Sequence, residues 1–135
     1  VSGSGAPAGR WDYDGRAFGP AEPQAGSVIG HYHQQDDLVS AEFSGDAVLA
    51  GRLVGIVDEH GVIDAAYCQI MRDGELVAGR CVSSPSVSAD GRLSLTERWH
   101  RIDGSSGVSQ IVEVAAGLAV AGPAARPLSA EGVSR

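Results

Sequence analysis

The chain has 135 residues, a formal net charge of −7 and two cysteines. That is the usual length of one domain, with roughly 100 residues left to build a core once loose ends are set aside. Acidic and basic residues are mixed throughout, so no basic face is available to release counterions from a phosphate backbone, and no apolar run reaches the length of a membrane span. Neither nucleic acid nor membrane is an expected partner. Residues 1–10 lack the charged and apolar regions of a secretory signal, which makes the cytoplasm the expected location. Cys68 and Cys81 stand apart from any CxxC or Cys/His cluster, so neither a structural disulfide nor a zinc site is expected.

Glycine is abundant, at 19 residues, and aromatics are scarce, at 5% of the chain, which suits many short strands joined by tight turns. Residues 1–9 are rich in Gly, Ser, Ala and Pro and read as a flexible N-terminal segment, 10–115 as a β-barrel domain, and 116–135, with Pro123 and Pro127, as a C-terminal tail. Within the middle region, runs rich in Val, Ile, Leu, Tyr and Trp alternate with turn signals, and no stretch keeps a 3.6-residue apolar period. Strands are expected at 10–18, 27–34, 37–43, 47–58, 62–71, 75–88, 92–102 and 107–115. The fold class is therefore all-β, a single antiparallel up-and-down meander of about eight strands curled into a small barrel.

Three turns fix the pairing. Glu59-His60-Gly61, Arg72-Asp73-Gly74 and Ala89-Asp90-Gly91 all have the form x-x-Gly between apolar runs, the signature of a three-residue hairpin loop with a left-handed glycine. The residues flanking each loop then face one another: Asp58 and Val62, Met71 and Glu75, Ser88 and Arg92. Counting outward sets Leu53 opposite Tyr67, Gly51 opposite Gln69, Tyr67 opposite Gly79, Cys81 opposite Trp99, and Ser83 opposite Glu97. Opposed residues share a face of the sheet.

One face collects Leu49, Leu53, Val57, Ile63, Tyr67, Gln69, Met71, Cys81, Leu93, Leu95, Glu97 and Trp99; the other collects Arg52, Asp64, Arg72, Arg80, Ser94, Thr96, Arg98 and His100. The first must point inward. Continuing across Ser44-Gly45-Asp46 adds Val39, Ala41 and Phe43 to the interior, and a two-residue turn at Gln35-Asp36 adds Val28, Gly30, Tyr32 and Gln34.

The interior so derived is apolar with a polar cluster of Glu97, Gln34, Gln69, Tyr32, Tyr67, Ser83 and Cys81, beside Trp99. An unsatisfied buried polar group costs roughly 1–3 kcal/mol and an unpaired carboxylate more, so a purely structural core seldom gathers so many. Gly30, Gly51, Gly55 and Gly79 fall on the same face and are expected to leave room among them. Polar groups converging on space inside an apolar barrel are the usual form of a small-molecule site.

The run from Trp11 through Tyr13, Gly15, Arg16 and Phe18, then Tyr32-His33-Gln34, Gly51-Arg52-Leu53-Val54-Gly55, Tyr67-Cys68-Gln69, Gly79-Arg80-Cys81-Val82-Ser83 and Gly91-Arg92-Leu93 through Glu97 and Trp99, resembles a family of small bacterial proteins that carry the automatic name N-acetylglutamate synthase. The resemblance covers about 11–114 and implies a calycin-like β-barrel. Acetyl transfer in the common acetyltransferase fold needs a strand and a helix whose backbone amides receive the pyrophosphate, and no such helix is present. The activity in that name is not expected.

Other chemistries are also poorly matched. His31 and His33 lie on one strand face as cupin metal ligands do, but Glu42 is too far along and no second cupin motif follows, so no metal is expected. There is no GxSxG elbow, P-loop or GxGxxG ahead of a helix, and no cofactor is expected. The reading that follows is a small organic ligand in the barrel, handled by a cofactor-independent cyclase or isomerase of the kind found in bacterial natural-product pathways. Glu97 would be its general acid or base, with Tyr67 and Tyr32 as hydrogen-bond donors. Gln34, Gln69, Trp99, Ser83, Cys81, Phe43 and Leu53 would contact the ligand. The alternative is a lipocalin-like binding or carrier protein built from the same residues. On the outer face of 47–58 and 62–71 the register leaves Val48, Ala50, Val54, Ile56, Ala66, Cys68 and Ile70 exposed. A homodimer with Arg52 and Asp64 at its rim, or else cover by 115–125, is expected there.

Overall fold

A computed structural model describes residues 11–115. Eight antiparallel strands follow in chain order: β1 (Ala17–Gly19), β2 (Ile29–Gln35), β3 (Leu38–Ser44), β4 (Val48–Val57), β5 (Ile63–Met71), β6 (Leu76–Val87), β7 (Leu93–Arg101) and β8 (Ser106–Glu113). Each pairs with its neighbours and β1 returns to β8, closing the barrel. The expected N-terminal segment and C-terminal tail lie outside the described residues.

The hairpins take the expected form. In the β4–β5 loop the Asp58 amide donates to the Val62 carbonyl at 3.0 Å, the Gly61 amide donates back to Asp58 at 3.0 Å, and Gly61 has a φ of 82°. That angle is left-handed, where a Cβ would be strained. Asp58 Oδ1 also accepts from the His60 and Val62 amides, so an aspartate holds the loop that the glycine permits. Gly74 and Gly91 repeat the geometry, and a fourth loop of the same type, Ile102-Asp103-Gly104, joins β7 to β8. The derived pairs Leu53 with Tyr67, Gly51 with Gln69, Tyr67 with Gly79, Cys81 with Trp99, and Ser83 with Glu97 are all present. Cys68 is accordingly exposed on the outer face and Cys81 buried inside, both as free thiols.

Three details differ from expectation. The β2–β3 turn is Asp36-Asp37, with Gln35 opposite Leu38, so pairing moves by two residues and every side chain keeps its face. A bulge lies between Val48 and Ala50, which puts Val48 and Leu49 both in the interior and removes Val48 from the outer apolar set. Finally, β1 is only three residues long, because 11–16 fold as turns across one end of the barrel instead of continuing the strand.

That turn segment is the plug. Tyr13 is fully buried, its hydroxyl donates to the Gly61 carbonyl at 2.6 Å, and its ring packs 6.2 Å from Phe18 and 6.3 Å from Tyr32, centroid to centroid. Its amide donates to Gln34 Oε1 at 2.9 Å. Around it, Val39, Val57, Ile63, Leu93 and Leu95 fill the same half of the barrel, so this end is a packed core. Tyr13→Phe leaves the Gly61 carbonyl without its donor and should lower unfolding stability by about 1–3 kcal/mol, read from urea denaturation, with the strand content in circular dichroism unchanged.

Candidate functional site

The other half of the barrel is not filled. Its strand ends lie next to the turns at 45–47, 72–75 and 102–105, and Arg72 ties two of these together through bonds to the carbonyls of Gly45 at 2.9 Å and Asp46 at 3.3 Å. Beneath them is a cavity of about 230 Å³, partly open to solvent. That is somewhat less than the ~300–1,000 Å³ of pockets for drug-sized ligands, so the space suits a molecule of metabolite size.

Eight of the ten residues singled out from the sequence line this cavity: Glu97, Tyr67, Tyr32, Gln69, Trp99, Cys81, Phe43 and Leu53. Tyr32 and Phe18 form the floor with ring centroids 5.1 Å apart, edge to face, above the Tyr13 plug. Ser83 lies behind the lining, fully buried next to Cys81 at 3.6 Å from sulfur to hydroxyl. Gln34 is the residue that the structure separates from the group. It sits at the plugged end, accepting from Tyr13 and donating to the Asp36 carbonyl at 2.9 Å, so its amide is spent on the N-terminal segment.

Glycine does not make the space in the way expected. A Cβ at Gly51 would meet the Phe43 ring at 2.2 Å, one at Gly55 would meet Ala65 Cβ at 2.5 Å, and one at Gly79 would meet the His100 carbonyl oxygen at 2.2 Å. These glycines admit neighbouring groups, and the cavity arises instead from the mismatch between a plugged end and an unplugged one. Among these four, Gly30 has the most room and borders the cavity: the nearest atoms to an added Cβ are Tyr32 Cε1 at 3.3 Å, a tight contact, and Phe43 Cβ at 3.6 Å.

Glu97 is half-buried and faces the cavity, and burial pushes its carboxyl up from 4.5 to about 7, with the Ser83 hydroxyl acting in the opposite direction. Its polar neighbour is thus Ser83, the residue opposite it on β6. Cys81 is pushed up to about 11 by burial and by the nearby Glu97 carboxyl, which leaves a neutral thiol with no nucleophilic character at physiological pH. Tyr32 is raised too, chiefly by burial and then by Glu97, so its hydroxyl stays protonated.

Three lining residues were missed: Phe18, Ile111 and Arg101. The first two come from β1 and β8, which no loop of known register had anchored. Arg101 was within reach of the same reasoning, since it shares parity with Glu97 and Trp99 on β7. The Arg101 guanidinium carbon stands 4.8 Å over the Trp99 ring, and Trp99 is itself held by a 3.0 Å bond from Nε1 to Ser109 Oγ and by close passage over Gly107.

A carboxyl that is harder to ionise folded than unfolded contributes stability that is fully present below its unfolded value and is lost as pH rises through the folded one. Unfolding stability should therefore decline from about pH 4.5 through about pH 7 on account of Glu97. Comparing urea midpoints of the protein and its Glu97→Gln variant across that window checks this, because the substitution should flatten the decline; proton-detected titration of the Glu97 carboxyl carbon should give a midpoint near neutrality.

Comparison with family models matches residues 11–114 to the family described as Avidin-like protein. Comparison with curated proteins and with solved structures finds no match. Nothing in these findings carries the name N-acetylglutamate synthase, whereas the barrel resemblance behind it agrees with the closed eight-stranded fold. Since the matched region takes in every strand from β1 to β8, this chain belongs to the avidin-like family.

Proposed function

We propose that the protein binds one small organic molecule in the unplugged half of its barrel, with Tyr67, Gln69, Glu97 and Trp99 as the contacting groups. The observation that carries this reading is the cavity itself: apolar walls, a few converging polar groups and an opening to solvent, in a barrel of avidin-like type. Gly30→Leu supplies the test. The side chain should enter the cavity from a position where only Tyr32 must shift, by a few tenths of an ångström, so binding should be lost while circular dichroism still shows the folded barrel. Native mass spectrometry of the purified protein should show a retained adduct that is absent from this variant; an adduct held equally by both would place the ligand elsewhere.

Catalysis by proton transfer is a second reading, favoured by the carboxyl of Glu97 standing at about 7, where a general acid or base is most effective at neutral pH. Tyr67 and Tyr32 would donate hydrogen bonds to developing negative charge, as a cyclase or isomerase requires. Glu97→Gln separates the readings. Turnover of the retained molecule should fall by at least about a hundredfold with affinity nearly kept if Glu97 is catalytic, and no turnover should be seen in either protein if the barrel only holds its ligand.

The outer face of β4 and β5 supports a proposal about assembly. Val54 is 55% exposed, Ile56 56% and Ile70 39%, and Ala66 and Cys68 lie exposed between them. Arg80 and Asp64 form an ion pair beside them, and Arg52 is exposed on the same face, so the apolar patch has charges of both signs at its margin. Such a surface can meet itself across a two-fold axis, and we infer a homodimer through it. Light scattering at micromolar concentration should give twice the chain mass, halved by Ile56→Asp; a monomer in both cases would overturn the dimer.

A further inference from the structure

Each arginine among the described residues can be accounted for except one that faces the cavity. Arg16 pairs with Glu113, Arg80 with Asp64 and Arg92 with Asp90; Arg72 and Arg52 donate to backbone carbonyls, and Arg98 is exposed to water. Arg101 differs. Its Nε is buried and has no hydrogen-bond partner among the described residues. Asp103, the nearby acid in the β7–β8 turn, is exposed and accepts from the amide and hydroxyl of Ser105 at 2.9 and 2.7 Å; it feels the charge of Arg101 but forms no ion pair or hydrogen bond with it. The cation is held over Trp99 instead, at the cavity wall.

A buried guanidinium nitrogen without an acceptor is costly, and a protein of net charge −7 has many carboxylates with which it could have been paired. Tyr67, Gly79 and Arg101 lie on one rung of the barrel, and the tyrosine and the arginine both line the cavity. The unsatisfied Nε–H is one half of the side-on fork that a guanidinium offers to a planar two-oxygen anion. Glu97 is four residues earlier on the same strand face, about 13 Å away along the backbone, and marks the deep end of the site.

We propose that the ligand of this cavity is a small carboxylic acid, bound with its carboxylate on Arg101 near the mouth and its uncharged remainder directed inward between Trp99 and Tyr67 toward Glu97. This rests on the binding reading above. It is tested with pairs of probes that differ only in charge: benzoate, indole-3-carboxylate and hexanoate, each against its own carboxamide, with phenyl phosphate as a second kind of anion. Ligand-observed NMR and calorimetry on the full chain should show each carboxylate bound about tenfold or more tightly than its carboxamide. Arg101→Gln should abolish that preference, while Arg101→Lys should restore only part of it, since an ammonium lacks the fork.

Equal affinity within each pair, displaced by Gly30→Leu, would overturn the assignment to Arg101 and leave the binding reading intact. Stronger binding of phenyl phosphate than of benzoate would overturn the choice of carboxylate. Failure of every carboxylate and every carboxamide to bind would overturn the binding reading and this inference with it.

Discussion

A three-residue loop ending on a left-handed glycine leaves its flanking residues no choice of partner. In this barrel four such loops, closing on Gly61, Gly74, Gly91 and Gly104, join β4 through β8. Because side chains alternate faces along a strand, a slip of one residue at any loop would exchange the inside of a strand for its outside. The apolar set Leu53, Val57, Ile63, Leu93 and Leu95 and the polar set Gln69, Cys81, Glu97 and Arg101 share the interior as a consequence of that locked register. Aspartates 58, 73, 90 and 103 each accept backbone amides within these loops, adding an enthalpic hold to a conformation that glycine makes accessible.

What the register does not decide is which part of the interior is full. That depends on the segment before β1. By folding across the barrel as turns, 11–16 bring Tyr13 onto the Gly61 carbonyl and Trp11 against the same glycine, and so fill the half of the barrel where β4–β5 and β6–β7 turn. At the opposite end Arg72 braces the turns from outside without entering the lumen. A closed sheet of eight strands has an interior just wide enough either to be filled by side chains or to hold one small ligand, and this molecule does each in one half.

The sequence made the first of these constraints legible and the second only in part. Register came from x-x-Gly loops, and with it the facing of Glu97, Trp99, Tyr67 and Gln69 was correct. The error at the β2–β3 turn was harmless because it moved the pairing by two, and parity survives an even shift. Distance along the barrel axis is another matter. Gln34 and Tyr32 have the same parity, but only Tyr32 borders the cavity, since Gln34 lies one step nearer a turn that the plug covers. Nor does the presence of glycine reveal what will occupy its missing side chain: Phe43 takes the space at Gly51, and the β7 backbone takes it at Gly79. Arg101 could have been found by carrying the parity of β7 two residues beyond Trp99.

Glu97 and Arg101 have opposite charge types and lie on the same face of the same strand, yet they do not neutralise each other. Their backbones are about 13 Å apart along the extended strand, and no ion pair joins the two side chains. Desolvation raises the Glu97 carboxyl to about 7, and Arg101 lies against the Trp99 ring, which offers electron density but no hydrogen-bond acceptor. Each solution is incomplete: the acid is kept near neutrality, and the guanidinium retains an unpaired donor. A sequence selected for stability alone could relieve both with apolar residues of similar size. A third group lying between them along β7, supplying an anionic oxygen to Arg101 and a neutral polar atom to Glu97, would complete both.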